Sequence, residues 1–431
     1  MHKEDILKRI TENHDVRIFT ENIEETALMQ LETLLSLGAF SECKIRIMPD
    51  VHAGAGCVIG FTGDLGDKVI PNIVGVDIGC GIFVQPFSPQ KAIDFHALNE
   101  FILQAIPSGR NYRTEKYSPL PHKYMESYSE AKNIIKELRC YRELQETKRL
   151  HKAISSLGGG NHFIELDKDK DGLFYLVVHT GSRNLGKQVA QIYQKLAIKC
   201  QSGWAELMEK QKKMIAEYKQ AGRKSELQEA IRNLHNSFKM YKPAIPSELS
   251  YLEGDFREDY LHDMRLCQQW AKLNRRVIVG LIMDYLTSQG AVAMDKTEYQ
   301  TLSFESVHNY ISDNNLIRKG AISAQIGEKC IIPLNMRDGS LICIGKGNAD
   351  WNYSAPHGAG RIMSRSQAFE QIQMDDYIHS MDGIYSESIV EETKDESPMA
   401  YKPKEEIIRN IQDTVTVVNH IHPIYNFKAA E

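Results

Sequence analysis

The chain has 431 residues, 42% apolar and 25% charged, the composition of a soluble globular protein with room for one large domain or two to three ordinary ones. A formal net charge of −5 excludes the strongly basic class of nucleic-acid binder, so an RNA or DNA partner would have to be held by a local patch. Eight scattered cysteines without a C-x-x-C pair argue against a zinc ribbon or a disulfide framework. A charged start, MHKEDILKRI, and the lack of any apolar run near about 18 residues argue against a signal peptide or membrane span, so a cytoplasmic protein is expected.

Along the chain, residues 40–90 are rich in β-branched residues broken by glycines and predict short buried strands with tight turns. Between 92 and 155 the run EAKNIIKELRCYRELQETKRLHKAI predicts helix, and FIEL and LFYLVVHTG then predict two strands around a turn. That turn, DKDKDG (167–172), matches the opening of an EF-hand loop. The twelfth position, which requires a bidentate Glu, is Val178, so a hairpin is expected instead of a calcium site. Residues 187–289 alternate charged and apolar residues at helical spacing and predict a helical excursion packed on a strand-rich body. LSFESVHNYI, CIIPL and GSLICIG predict further strands. The acidic stretch SESIVEETKDESPMAYKPKEE predicts a loop or helix start, and DTVTVVNHIHPIYNF a β-rich tail. With no internal repeat and no clean composition break, the expected fold class is α/β (α+β), one body of mixed sheets with a helical insertion.

Candidate chemistry gathers at glycine-bracketed turns. In GVDIGCG, Asp77 and Cys80 could bring a carboxylate and a thiolate to one point; alone, the motif also reads as a strand-to-turn junction with a solvated Asp and a buried Cys. His162 in LGGGNHFIEL, His179 in LVVHTGSRNLG and His308 in VHNYI stand at strand ends, where α/β folds place their sites, although any one alone could be a satisfied core histidine. Together these five exceed one tetrahedral structural site and suit two ions bridged by the thiolate. Ligand softness puts zinc first, with manganese favoured only through carboxylate and phosphate oxygens.

Phosphate-binding signals accompany the cluster. GGGNHF and HTGSRNLG present runs of backbone N–H groups, with Arg183 in the second, and RKGA (318–321) adds Arg318 and Lys319. No P-loop and no Rossmann fingerprint occurs, so a nucleotide would need another device. In SAPHGAGRIMSR (354–365), a helix beginning near Gly358 or Gly360 would put Arg361 and Arg365 on one face. His357 would then stand at its positive end, where an anion is favoured and an imidazole stays neutral and nucleophilic; the alternative is a turn with a packed histidine.

MPDVHAGAGCVIG, GVDIGCG, GGGNHFIE, HTGSRNLG, HN, RKGA and SAPHGAGRIMSR occur in the order seen in the RtcB family of RNA-splicing and RNA-repair ligases, which the chain resembles from about residue 47 onward. The resemblance implies a single RtcB-like ligase domain over 1–431. It implies a GTP- and manganese-dependent enzyme that joins RNA 3′-phosphate or 2′,3′-cyclic phosphate ends to 5′-hydroxyl ends, with no membrane partner and with an archease-like activator as a possible helper. The guanylylated histidine falls on His357, with Asp50 as its acidic neighbour. Metal ligands fall on Asp77, Cys80 and His162 for one Mn2+ and on Cys80, His179 and His308 for the other, with Cys80 bridging. Guanylate-binding residues fall on Asn161, His162, Phe163, Ile164, Glu165, His308 and Asn309; on Pro333, Leu334, Asn335, Met336 and Ser340; and on His357, Gly358, Ala359, Gly360 and Lys428. Arg183, Arg361 and Arg365 are assigned from type and position as clamps for phosphate or the RNA end.

Two departures from the family pattern bear on nucleotide preference. The nucleotide loop reads PLNMRDGS, placing Leu334, Asn335, Arg337 and Asp338 where many members have small residues, and Lys428 is followed by AAE where members often stop at a glycine. Two other classes stay open at this level. A two-metal phosphoesterase would not need His357, and a ligation-deficient RNA-end or nucleotide sensor would tolerate the altered loop.

Overall fold

The computed structural model describes residues 3–293 and 301–429. Its strands in chain order are β1 (Val16–Ile18), β2 (Ile45–His52), β3 (Ile59–Gly63), β4 (Gly81–Phe87), β5 (Phe163–Lys168), β6 (Phe174–Thr180) and β7 (Phe304–Val307), then β8 (Asn309–Ile311), β9 (Ile317–Lys319), β10 (Ala321–Ser323), β11 (Lys329–Asn335), β12 (Gly339–Gly345), β13 (Ser354–Pro356) and β14 (Val415–Lys428). One seven-stranded sheet runs β11-β12-β14-β5-β6-β4-β7, a five-stranded sheet runs β1-β2-β3-β9-β8, and β10 pairs with β13. β1 and β2 are parallel, joined across helix Glu25–Leu35; the pairings of the large sheet are antiparallel. Helices and mixed sheets together give the α/β class expected.

Antiparallel order decides where the chemistry falls. The start of β5, the end of β6, the start of β4 and the end of β7 all lie at one end of the large sheet, as the registers Phe163↔His179, Gly81↔Thr180 and Gly81↔Val307 require. The end of β14 joins them, because Lys428 pairs with Phe163. His162, His179, Cys80, His308 and Lys428 are therefore brought to one rim.

The helical region corrects the expectation of an excursion over 187–289. Helicity begins at Arg183, and only helices Trp204–Gln220 and Leu227–Ser237 are largely exposed. Helix Gly254–Ser288 is a core element packed on β4 and β6. Its Ile278, Leu281 and Ile282 are buried against Leu166, Leu176 and Val178, each such side chain contributing about 1.5–3 kcal/mol. No helix of the described residues is long and apolar enough to cross a membrane.

Three local readings are sharpened by side-chain capture of backbone groups. The helical run after residue 125 stops at Glu137, because the fully buried Asp263 carboxylate accepts the amides of Arg139 and Cys140. The DKDKDG turn is a β5–β6 hairpin in which Asp169 accepts the amides of Asp171 and Leu173, and Val178 lies in the core. The helix expected near Gly358 or Gly360 instead spans Arg365–Gln371, with Ser364 and Gln367 forming a capping box. Gly360, at φ +74°, lies outside helical space, so Arg361 is not on that helix and His357 is not at its end.

Candidate active site

Two side-chain triads share Cys80: Cys80, His179 and His308, and Asp77, Cys80 and His162. The Cys80 Sγ lies 3.3 Å from His162 Nε2 and 3.4 Å from His179 Nε2. His179 Nε2 lies 3.2 Å from His308 Nε2, and His162 Nε2 lies 3.1 Å from Asp77 Oδ2. His179 Nδ1 donates to the Asn161 carbonyl at 3.1 Å, which leaves its Nε2 lone pair aimed at the cluster. Burial, then the neighbouring histidines, hold the His179 and His308 imidazoles well below their ordinary range, so both rings are neutral and ligand-competent. Burial and Asp77 push the Cys80 thiol up, so a cation is what would draw off its proton. Lone pairs converging at these distances, with soft and hard donors mixed, fit a pair of divalent ions better than a hydrogen-bonded core.

Supporting groups fix the loops that carry these donors. Asp77 accepts the Ser182 amide at 2.9 Å, and Asn309 donates to the Asp77 carbonyl at 3.1 Å. Burial alone would raise the Asp77 carboxyl, but His162 and Arg183 bring it below the ordinary range. Arg275, from the long core helix and 1% exposed, donates to the carbonyls of Gly79 and Thr180 at 2.8 Å and pairs with Glu305 at 2.7 Å. It thereby ties together the loop before β4, the end of β6 and β7.

His357 follows β13 directly and stacks on His308, ring centroids 4.7 Å apart. Its Nδ1 lies 2.6 Å from Asp50 Oδ2 on β2, and the same oxygen accepts the His357 amide at 3.1 Å. Asp50 is fully buried, so its carboxylate acts as a fixed acceptor for Nδ1–H, and in the neutral ring the lone pair is on Nε2. The glycines make this approach possible. A Cβ on Gly360 would stand 2.4 Å from the Asp50 carbonyl oxygen, and one on Gly320 would stand 3.2 Å from His357 Cε1.

A cleft of about 700 Å³ opens over His357 and His179. Asn161, Phe163, Glu165, Pro333, Leu334, Asn335, Met336, His357, Gly358, Ala359, Gly360 and Lys428 line it, as do Arg361 and Arg365. Ile164 points through the sheet into the opposite core, Ser340 is fully buried, and His162, His308 and Asn309 sit at the triads behind the cleft wall. In the loop 333–340, Asn335 Oδ1 accepts the amides of Arg337 and Asp338 at 3.0 and 2.8 Å, so a side chain closes the turn. Burial raises the Glu165 carboxyl to about 7, against the opposing pull of Lys428 and the Asn426 amide.

The arginines and the RKGA pair are placed differently from one another. Arg183 donates to Ser156 Oγ at 3.1 Å and to the Gly109 carbonyl at 2.6 Å, outside the cleft lining. Arg361 and Arg365 reach the cleft but are ion-paired with Glu396, and Arg365 with Asp395 as well. Arg318 donates to Ser354 Oγ, and Lys319 to the carbonyls of Ala55, Cys57 and Asn72, so this pair braces loops from within the core. Sequence reading missed Arg275, Asp395, Glu396 and Tyr401. The available signals were the arginine entering the apolar run RRVIVGLIM and the polar turn ESPMAYK.

A rim of imidazole, thiolate and carboxylate donors on a mixed α/β scaffold, beside a nucleotide-sized cleft with a carboxylate-held histidine, is the equipment of a metal-assisted nucleotidyl- or phosphoryl-transfer protein. Comparison with known proteins narrows this: the model of the tRNA-splicing ligase RtcB family matches residues 30–429, and the chain belongs to that family. It is similar to the RNA-splicing ligase RtcB of Escherichia coli K12, 29% identical over 95% of this chain and 96% of the relative. It is equally similar, at 29% and the same coverage, to RNA-splicing ligase RtcB1 of another Escherichia coli strain. The tRNA-splicing ligase RtcB of Methanococcus maripaludis is 24% identical over 81% of this chain and 79% of the relative.

Proposed function

We propose that the protein is an RNA ligase that uses GTP and two Mn2+ ions to join RNA 3′-phosphate or 2′,3′-cyclic phosphate ends to 5′-hydroxyl ends, with His357 as the residue that carries GMP. The observation that carries this reading is the Asp50–His357 pair, whose 2.6 Å contact ties Nδ1–H to a buried carboxylate and so turns Nε2 away from Asp50, with the ring stacked on His308 of the double triad. A phosphoesterase built on the same triads would have no task for that pair. In the first step Nε2 attacks the α-phosphorus of GTP, a P–N bond forms, and the P–O bond to pyrophosphate breaks. A 2′,3′-cyclic phosphate is first opened by water, which breaks the P–O2′ bond and leaves a 3′-phosphate; the 3′-phosphate then takes the GMP from His357, and attack by the 5′-hydroxyl expels GMP as the strands join. Asp50 holds the ring and offsets its positive charge while the P–N bond exists. Ions held by Asp77, Cys80 and His162 and by Cys80, His179 and His308 would supply positive charge to phosphate oxygens. Manganese follows the family likeness, and the S and N donors would also suit zinc. A thiolate at Cys80 requires a reducing compartment, in keeping with a cytoplasmic location.

At the far end of the cleft, Lys428 only donates and ionised Glu165 only accepts. That pairing suits guanine, with O6 and N7 as acceptors and N1–H and N2–H as donors. Incubation with α-labelled GTP and Mn2+ tests the whole reading: label is expected to stay on the denatured protein and to vanish in His357→Ala. No adduct on the unaltered chain with Mn2+, Zn2+ or Mg2+ would overturn the histidine-nucleophile reading.

Because Glu165 titrates at about 7, its accepting form is lost as pH falls. GTP affinity is therefore expected to decline below neutrality, approaching tenfold per pH unit once Glu165 is mostly protonated. Glu165→Gln should flatten that profile, measured as GTP dissociation constants from pH 6 to 8.5; a Gln variant with the same slope would rule Glu165 out.

A further inference from the structure

The acidic stretch that reads in sequence as a loop or helix start delivers Glu396, 1% exposed, to the wall of the cleft. Its Oε2 accepts from Lys428 Nζ at 2.9 Å and from the Tyr401 hydroxyl at 2.6 Å. Its Oε1 lies 3.4 Å from Arg361 and 3.5 Å from Arg365. One carboxylate thus touches three cations and a phenol. Burial would raise its pKa, but Lys428, Arg365 and Arg361 outweigh burial and bring it to about 2, so it is an anion throughout the working range.

Lys428 has a second carboxylate within its field, that of Glu165, and its ammonium lies 5.6 Å from the Phe163 ring centroid. A flexible four-carbon side chain between two buried carboxylates takes the better partner, and here that partner is Glu396. The choice matters, because a direct Lys428–Glu165 ion pair would use up both a donor and an acceptor at the base-reading end. Tyr401 and the arginines hold Glu396 in place, so the selection is built in.

We propose that Glu396 is a positioning residue for nucleobase recognition: it keeps the Lys428 ammonium off Glu165, so that both remain available to a purine edge that Glu396 itself does not read. The inference rests on the nucleotide-binding reading above. It also gives the acidic stretch a role, which is to aim the cations around it.

The test is equilibrium binding of GTP and of ATP to the full chain with Mn2+, by calorimetry, for the unaltered protein, E396Q, E396D, K428M and E396Q/K428M. In E396Q the preference for GTP over ATP is expected to fall at least about tenfold, the value of one hydrogen bond to a charged group. E396D keeps the buried charge but retracts it, and should lie between. In the K428M background E396Q should have no further effect on the ratio, which a merely structural role would not produce. An unaltered protein that binds neither nucleotide, or binds both alike, would sink the nucleotide reading itself. A GTP-selective protein whose ratio is unchanged in E396Q, or whose E396Q effect persists in K428M, would overturn only the role of Glu396. Should E396Q fail to fold, E396D decides alone: a ratio equal to that of the unaltered protein overturns the proposal.

Discussion

An Asp50→Asn variant is expected to bind GTP normally and to label His357 slower by roughly 10²–10⁴-fold. The substitution keeps size and one accepting oxygen, so the loop and the imidazole orientation survive. What it removes is the fixed negative charge 2.6 Å from Nδ1, which opposes the positive charge that grows on the ring as Nε2 bonds to phosphorus. Asp50 is fully buried, so water cannot stand in for the lost charge. Single-turnover transfer from α-labelled GTP reads this directly; a rate equal to that of the unaltered chain would show that Asp50 is only a structural partner.

Cys80→Ala should release metal from both triads at once. Cys80 is the member common to the two, and without it each retains two donors, Asp77 with His162 and His179 with His308, fewer than a resident divalent ion needs. His308→Ala should leave the Asp77, Cys80 and His162 triad whole and retain one ion. Elemental analysis of the purified variants separates the cases: a metal-to-protein ratio near zero for Cys80→Ala and near one for His308→Ala. Full metal content in Cys80→Ala would contradict the bridging role, whatever its ligase activity.

The site was more legible in the sequence than the fold around it, and the reason is physical. Glycine-flanked histidines, the Asp77/Cys80 turn and His357 announce themselves because unusual backbone conformations and reactive side chains coincide, and the structure gathers them on one rim. Which strands supply that rim is a long-range matter of pairing, which local periodicity does not carry. The helix placed near Gly360 failed because the spacing of Arg361 and Arg365 fits a helix, while Ser364 and Gln367 offered a better cap. The 187–289 block looked uniform because charge alternates with apolar residues throughout, yet helices Arg183–Cys200 and Gly254–Ser288 bury an apolar face in the core while Trp204–Gln220 and Leu227–Ser237 stay largely exposed. Arg275 and Glu396 were hidden for a shared reason: each is a charged residue whose partners are remote in sequence, and burial cannot be seen one residue at a time.

The antiparallel rim also has a consequence for how the protein comes to be active. The pairs Cys80–His162, Cys80–His179 and His179–His308 are 82, 99 and 129 residues apart along the chain, and β14, which carries Lys428, is inserted between β12 and β5 near the middle of the large sheet. Contacts of such separation form late, after the entropy of closing long loops has been met. A chain arrested before β14 would therefore lack Lys428 and the strand that joins β12 to β5, while β5, β6, β4 and β7, which pair directly with one another, would still carry the five candidate ligands to a shared rim.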